Sequence, residues 1–168
     1  PRGMSPIFIL GFSKQGRELL ARGLLQHQVV AKASGGLSVE RLVEWAESIS
    51  GEVFPKNVER FTRQQLSELS VAYWSEHCAC VSGPVMCLVD SGDQHYLYAG
   101  FLASLFPQAK FLYCEQPEEL NAVSLLLDGR QKPPCSGLFD VASCEVFLSQ
   151  CAPLIQHWQK TIPGWLAR

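Results

Sequence analysis

The chain has 168 residues, of which 47% are hydrophobic and 18% charged, with a formal net charge of −2. That length suits one domain with room for a substantial core, and the hydrophobic share excludes intrinsic disorder. The slightly acidic balance offers no footprint for nucleic acid, no apolar run reaches bilayer length, and no basic segment leads into an apolar one at the N-terminus. The expectation is therefore a single cytoplasmic domain over residues 1–168, with no nucleic-acid or membrane partner.

Residues 1–5 read as a tail, or as the cut end of something longer. Residues 6–25, PIFILGFSKQGRELLARGLL, read as strand, tight turn and helix. Ile7, Phe8, Ile9 and Leu10 form an unbroken apolar run, the pattern of a strand buried on both faces, and Gly11 ends it. From Gly16 onward Leu19, Leu20, Gly23 and Leu24 recur at helical spacing, so a turn over residues 11–16 would place backbone N–H groups at a helix start. Such a turn can hold an anion. A Walker loop needs G-x-x-x-x-G-K-[ST], and here Gly11 and Gly16 have the separation but are followed by Arg17 and Glu18. Two readings stay open: a phosphate site served by Lys14, or a purely structural turn.

Val29 and Val30 mark a short strand or extended connection that closes at Gly35 and Gly36. Ser38 can cap the next helix, whose apolar side is Leu42, Val43, Trp45, Ala46 and Ile49, and Gly51 stops it. Thr62 and Gln65 have capping-box spacing and open a clearer helix, with Leu66, Leu69, Ala72 and Tyr73 on its buried face and an end near residues 77–81. After the turn Ser82-Gly83-Pro84 comes a second strand, residues 85–89. Asp90-Ser91-Gly92-Asp93 then follows a strand end, where open α/β sheets place ligands, which nominates Asp90 and Ser91; an ordinary turn and helix cap is the plainer reading.

Residues 96–106 read as a helix, residues 110–114 as the third apolar strand, and residues 117–127 as a helix whose Glu118 and Glu119 suit its positive end. Residues 128–137 form the one long loop, rich in Pro and Gly. Residues 143–160 are apolar at helical spacing, with Pro153 marking a kink or break. Strand and helix alternate along the chain, which points to a mainly parallel sheet covered by helices.

Seven cysteines, an odd number scattered through regular segments, favour free thiols in a reducing compartment. His77, Cys78, Cys80 and Cys87 form the only grouping that invites a metal reading. A C-x-C without a second knuckle supplies no closed ligand set, so no metal is expected.

Two phrases carry a family resemblance. Residues 6–19 resemble the opening of the sulfotransferases, P-I-F-I-V-G-x-P-[RK]-S-G-T-T-x-L. Residues 105–114, LFPQAKFLYC, resemble that family's L-F-P-x-A-[KR]-F-I-x-x-R-R-D-P-x-D-x-x-x-S, whose serine falls on Ser124. Residues 153–158 with Ile162-Pro163-Gly164 resemble its later helix and L-P-G turn. The likeness spans nearly the whole chain and is greatest to bacterial sulfotransferases found behind tetratricopeptide repeats. It implies a P-loop-like, three-layer α/β/α fold that binds 3′-phosphoadenosine-5′-phosphosulfate (PAPS).

The departures fall on the chemistry that the resemblance implies. Lys14 and Gly16 match the donor loop, but its serine is Gln15 and its two threonines are Arg17 and Glu18. The arginines for the 3′-phosphate are Glu115 and Gln116, a catalytic carboxylate falls on Gly35, and the lysine of D-K-x-P is lost at Asp90-Ser91-Gly92-Asp93. Replacing a guanidinium by a carboxylate puts repulsion where attraction is needed, so the donor should bind poorly. The sequence thus favours a degenerate, non-catalytic domain with no cofactor, in which Lys14, Gly16, Arg17 and Ser124 are vestiges of the donor site. Its role would be an interaction or structural module for a protein partner or neighbouring domain. The chain stops where the family would add a strand and helices, so the domain is truncated or completed by a neighbour.

The rival is an enzyme moving a sulfuryl group from PAPS to a hydroxyl or amine, with Lys14, Arg17 and Ser124 on the donor and His27 or His95 as base. A third reading, a thiol-based redox or metal protein, rests on the cysteines alone.

Overall fold

The three expected strands form because their apolar runs pack on both faces of one sheet. The structure, a computed structural model, describes residues 4–34, 37–79, 81, 83–128 and 140–167. The strands are β1 (Ser5–Leu10), β2 (Val30–Lys32), β3 (Cys87–Asp90), β4 (Lys110–Tyr113) and β5 (Trp165–Ala167). They lie in the order β2-β3-β1-β4-β5, and every neighbouring pair is parallel. β1 is central, with Phe8 level with Asp90 of β3 and Leu10 level with Tyr113 of β4.

The helices are α1 (Lys14–Leu24), α2 (Val39–Ser50), α3 (Arg63–Cys78), α4 (His95–Leu105), α5 (Glu118–Asp128) and α6 (Val141–Thr161), with one 3₁₀ turn at Val58–Arg60. Two of their starts follow the sequence signals closely. The Ser38 hydroxyl accepts from Arg41 N at the head of α2, and Thr62 with Gln65 forms a reciprocal capping box on α3. The alternation of side chains along β1 sorts the core. Phe8 and Leu10 face a large cluster with residues of α2, α3, α4 and α6, whereas Ile9 joins Val89 and Ala21 of α1 in a smaller one. This is the expected three-layer α/β/α arrangement around a parallel sheet.

Several expectations need correction. Ser5 belongs to β1, not to a tail. The second strand begins at Cys87 rather than residue 85, and Met86 lies outside it with its N–H on Val29 O. Val30 opens a true strand. The Asp90–Asp93 stretch does not cap α4, because Gln94 occupies the cap and makes no side-chain bond there. α6 continues through Pro153, so the proline does not break the helix. The strand that the family resemblance placed after the L-P-G turn is present as β5, which covers the β4 edge. The Gly35-Gly36 turn, including the carboxylate position at Gly35, lies outside the described residues, as do Cys80, Ser82, Cys135 and most of the 128–137 loop.

Candidate functional site

The C-terminal ends of β1, β3 and β4 converge, and the β1–α1 connection rises between the other two. It is shorter than expected. β1 ends at Leu10 and α1 starts at Lys14, so the turn is residues 11–13 and not 11–16, and Lys14, Gln15 and Gly16 form the first helical turn. Ser13 sets that boundary. It is buried, its hydroxyl accepts from Gly16 N at 3.1 Å, and its carbonyl accepts from Arg17 N at 3.1 Å. One of the free N–H groups of the helix start, that of Gly16, is thus already satisfied by the cap, while Arg17 N makes the first regular helical bond.

The turn is also packed against the segment that follows β4. A Cβ on Gly11, at φ +142°, would sit 3.0 Å from Cys114 Cβ and Cys114 O. A Cβ on Gly16 would sit 2.7 Å from both Cys114 Sγ and Gln116 Nε2. Glycine is therefore required at both positions for close approach, at Gly11 also for conformation. Ser124, from α5, donates its hydroxyl to Ser13 Oγ at 3.2 Å. The structure does bring Gly16, Arg17 and Ser124 together around Ser13, with their polar groups turned to one another.

Arg17 is the pivot of the region. Its guanidinium is buried and folds under the turn, donating to Gly11 O and, through Nε, to Ser91 O at 3.3 Å, and pairing with Asp93. It joins the ends of β1 and β3 as a fork of donors matched to two carbonyls and a carboxylate. Burial pushes the neighbouring Cys114 thiol up despite the pull of Arg17, so this thiol stays protonated.

A second buried cluster sits at the end of β3. Asp90 accepts from the Tyr73 hydroxyl at 2.8 Å, meets His95 Nε2 at 3.3 Å, and receives Gly92 N at 3.3 Å. Burial first, and then the Asp90 carboxylate, hold the Tyr73 hydroxyl well above its ordinary range, so it remains a donor. His95 is buried edge-on to Phe8 with centroids 5.5 Å apart, and its Nδ1 has no hydrogen-bond partner. His95 is thus packed in the core, 2% exposed.

The remaining candidates are scattered. Lys14 opens α1 and His27 lies three residues past its end at Leu24; both are exposed. Glu18 pairs with Arg22 at 3.8 Å on the outer surface of α1, so it does not oppose the turn as the sequence implied. Glu115 does face open space. It borders a cleft of about 470 Å³ between α5 and α6, with Phe12, Tyr113 and Ile155 also among its lining. Tyr73, Asp93 and Asn121 carry the polar structure of this end of the sheet without having been nominated as site residues. Asp93 alone carried a signal, as the second acid of the Asp-Ser-Gly-Asp stretch. Among the described residues no group of three or more His, Cys, Asp or Glu could hold a metal ion, and no helix is long and apolar enough to cross a membrane.

No protein-family model matches the chain. Its sequence is 24% identical over 167 residues to an uncharacterized protein of Aquifex aeolicus (strain VF5), covering 95% of this chain and 22% of that protein, so it spans about a fifth of that relative. Among solved structures, it is similar to a shikimate kinase from Bacteroides thetaiotaomicron, with TM-score 0.51, 13% identity, and 98% and 86% of the two chains covered. TT1252 from Thermus thermophilus gives TM-score 0.46 at 13% identity, covering 99% and 90%. A gluconokinase from Sinorhizobium meliloti 1021 gives 0.44 at 12% identity, covering 99% and 83%. The likeness to the shikimate kinase is one of fold: a parallel sheet with helices on both faces.

Proposed function

We propose that this chain is a non-catalytic, sulfotransferase-like α/β module that has kept its scaffold, binds no nucleotide donor, and serves as an interaction or structural part of a larger cytoplasmic protein or assembly. The observation that carries this reading is the state of the β1–α1 turn. The groups that would meet a phosphosulfate there are buried and already bonded: Gly16 N and the Ser124 hydroxyl to Ser13 Oγ, and the Arg17 guanidinium to Gly11 O, Ser91 O and Asp93. Opening them to a donor would break those bonds, and each would leave a buried group unpaired.

Two further features support the module. Leu120, Val123 and Leu127 are exposed on one side of α5 at helical spacing, a row of apolar side chains suited to a partner surface. The Aquifex aeolicus relative carries a similar sequence as about a fifth of a longer chain.

A PAPS-dependent sulfotransferase is the alternative. The Asp90–His95 pair favours it, since a carboxylate beside a histidine at a strand end can orient a base. Against it, His95 is 2% exposed. Calorimetric titration of the protein with 3′-phosphoadenosine-5′-phosphate (PAP), and separately with ATP, tests both. The module reading expects no binding of either at millimolar concentration, and micromolar binding of either one overturns it.

A further inference from the structure

We propose that residues 52–61, the connection from α2 to α3, form a strap that opens as a unit while the sheet and the other helices stay folded, uncovering aromatic rings of α4. This goes beyond the non-catalytic reading and uses nothing from the β1–α1 turn. Gly51, at φ +71°, ends α2 and Thr62 caps α3, so the segment hangs between two fixed helix ends. Its own bonds are local. Lys56 N donates to Val53 O and Val58 N to Pro55 O, both at 3.1 Å, Arg60 N donates to Asn57 O at 3.0 Å, and the Arg60 side chain pairs with Glu52 at 2.6 Å. Two more bonds tie it to α2, from Phe54 N to Glu47 Oε1 at 2.8 Å and from Glu52 N to Ser50 Oγ at 3.3 Å. Among the described residues, none of its backbone groups bonds to the sheet or to α4.

Rings hold the strap down. Phe54 lies 5.2 Å from Tyr98 and 6.3 Å from Phe101 of α4, and Phe61 lies 6.1 Å from Phe101, centroid to centroid. Phe54, Val58 and Phe61 are only partly buried there, so closure gains less than full burial of three such side chains would give. Asn57 works against closure. It is fully buried at 0% exposure, yet neither Nδ2 nor Oδ1 has a hydrogen-bond partner, and its side chain makes no cap bond to the 3₁₀ turn that it precedes. An unsatisfied buried amide is destabilising, and opening the strap returns both atoms to water. A segment with local bonds, few buried apolar groups and an unpaired amide beneath it therefore opens far more often than the whole fold. Opening bares Phe101, which is 2% exposed when the strap is closed.

Native-state hydrogen exchange on the full chain reads the opening. The amides of Lys56, Val58 and Arg60 report on the strap, that of Cys114, bonded to Leu10 O at 2.8 Å, on the sheet, and that of Phe106, bonded to Leu102 O at 2.9 Å, on α4. The proposal expects the three strap amides to share one opening constant, at least about 100-fold larger than those of Cys114 and Phe106. Asn57→Leu, or the smaller Asn57→Val, should make that opening about tenfold rarer, because the unpaired amide is gone. Asn57→Asp should hold the strap open, with native chemical shifts kept at Cys114, because burying a lone carboxylate costs more than the strap gains by closing. Strap amides that exchange only together with Cys114, or each with its own constant, would overturn the proposal. Asn57→Leu and Asn57→Val both opening as often as wild type or more would do the same, since they would show that Asn57 holds the strap shut. An Asn57→Asp chain that is unfolded throughout, or whose strap stays closed, would also overturn it. PAP binding is scored separately and bears only on the non-catalytic reading.

Discussion

The two sides of the C-terminal sheet edge treat charge in opposite ways. At the ends of β1 and β3 the buried Arg17 pairs with the exposed Asp93, and Asp90 accepts from the buried Tyr73 hydroxyl. At the end of β4, Glu115 and Glu118 stay exposed beside an acceptor, Asn121 Oδ1, that has no donor. The first side resembles a site in sequence, and its groups are used up by the fold. The second is where the resemblance puts arginines for a 3′-phosphate, and its carboxylates, Glu115 and Glu118, remain exposed. A charged residue marks a site only when its partners are missing, and sequence names the residue without naming the partner.

The largest effect is expected from breaking the inward side. Arg17→Met should destabilise the fold by about 3 kcal/mol, because it strands the Gly11 and Ser91 carbonyls; chemical denaturation measures it. A loss below about 0.5 kcal/mol would mean that Arg17 is only a surface charge. Gly16→Ala should cost about 2 kcal/mol, since its Cβ would fall 2.7 Å from Cys114 Sγ and Gln116 Nε2. Much of that should return in Gly16→Ala/Cys114→Ala, and a double-variant cycle that shows no coupling would separate the turn from the β4 segment.

Tyr73→Phe should cost about 1 kcal/mol and change the alkaline profile. Tyr73 is held protonated in the folded protein, as is Tyr113, whose value rises from 10.0 to about 12. The unfolded chain gives up these protons first, so both stabilise fully below pH 10 and lose their contribution as pH climbs from there through 12 and beyond. Stability curves from pH 8 to 12 should fall less steeply in Tyr73→Phe, in the arithmetic of one titrating group removed. On the open side, Asn121→Leu should be within about 0.5 kcal/mol of wild type, since it loses one bond to Gln116 O and removes one unpaired acceptor.

Much of the fold was legible because its signals are local. The apolar runs at residues 7–10 and 110–114 have no other way to be buried, and Ser38, Thr62 and Gln65 cap helices within three residues of themselves. β2 and β5 were harder, since each has three residues and is held as an edge by the register of its neighbour. Pro153 does not break α6, because its cost is local while the packing that keeps the helix together is not. The site was less legible for the same reason. Glycines 11 and 16 and Lys14 gave the outline of an anion loop, but the contacts that close it come from Ser91, Asp93, Cys114 and Ser124, far away along the chain.

The closed turn is the central claim, and amide chemical shifts report on it directly. In ¹⁵N–¹H spectra of the full chain, millimolar PAP should leave the backbone resonances of Ser13, Gly16 and Arg17 in place, since the Gly16 and Arg17 amides are already held by Ser13 and the turn is packed on Cys114. Saturable shifts of those three resonances would contradict the account, because they would mean that the turn opens to admit a donor.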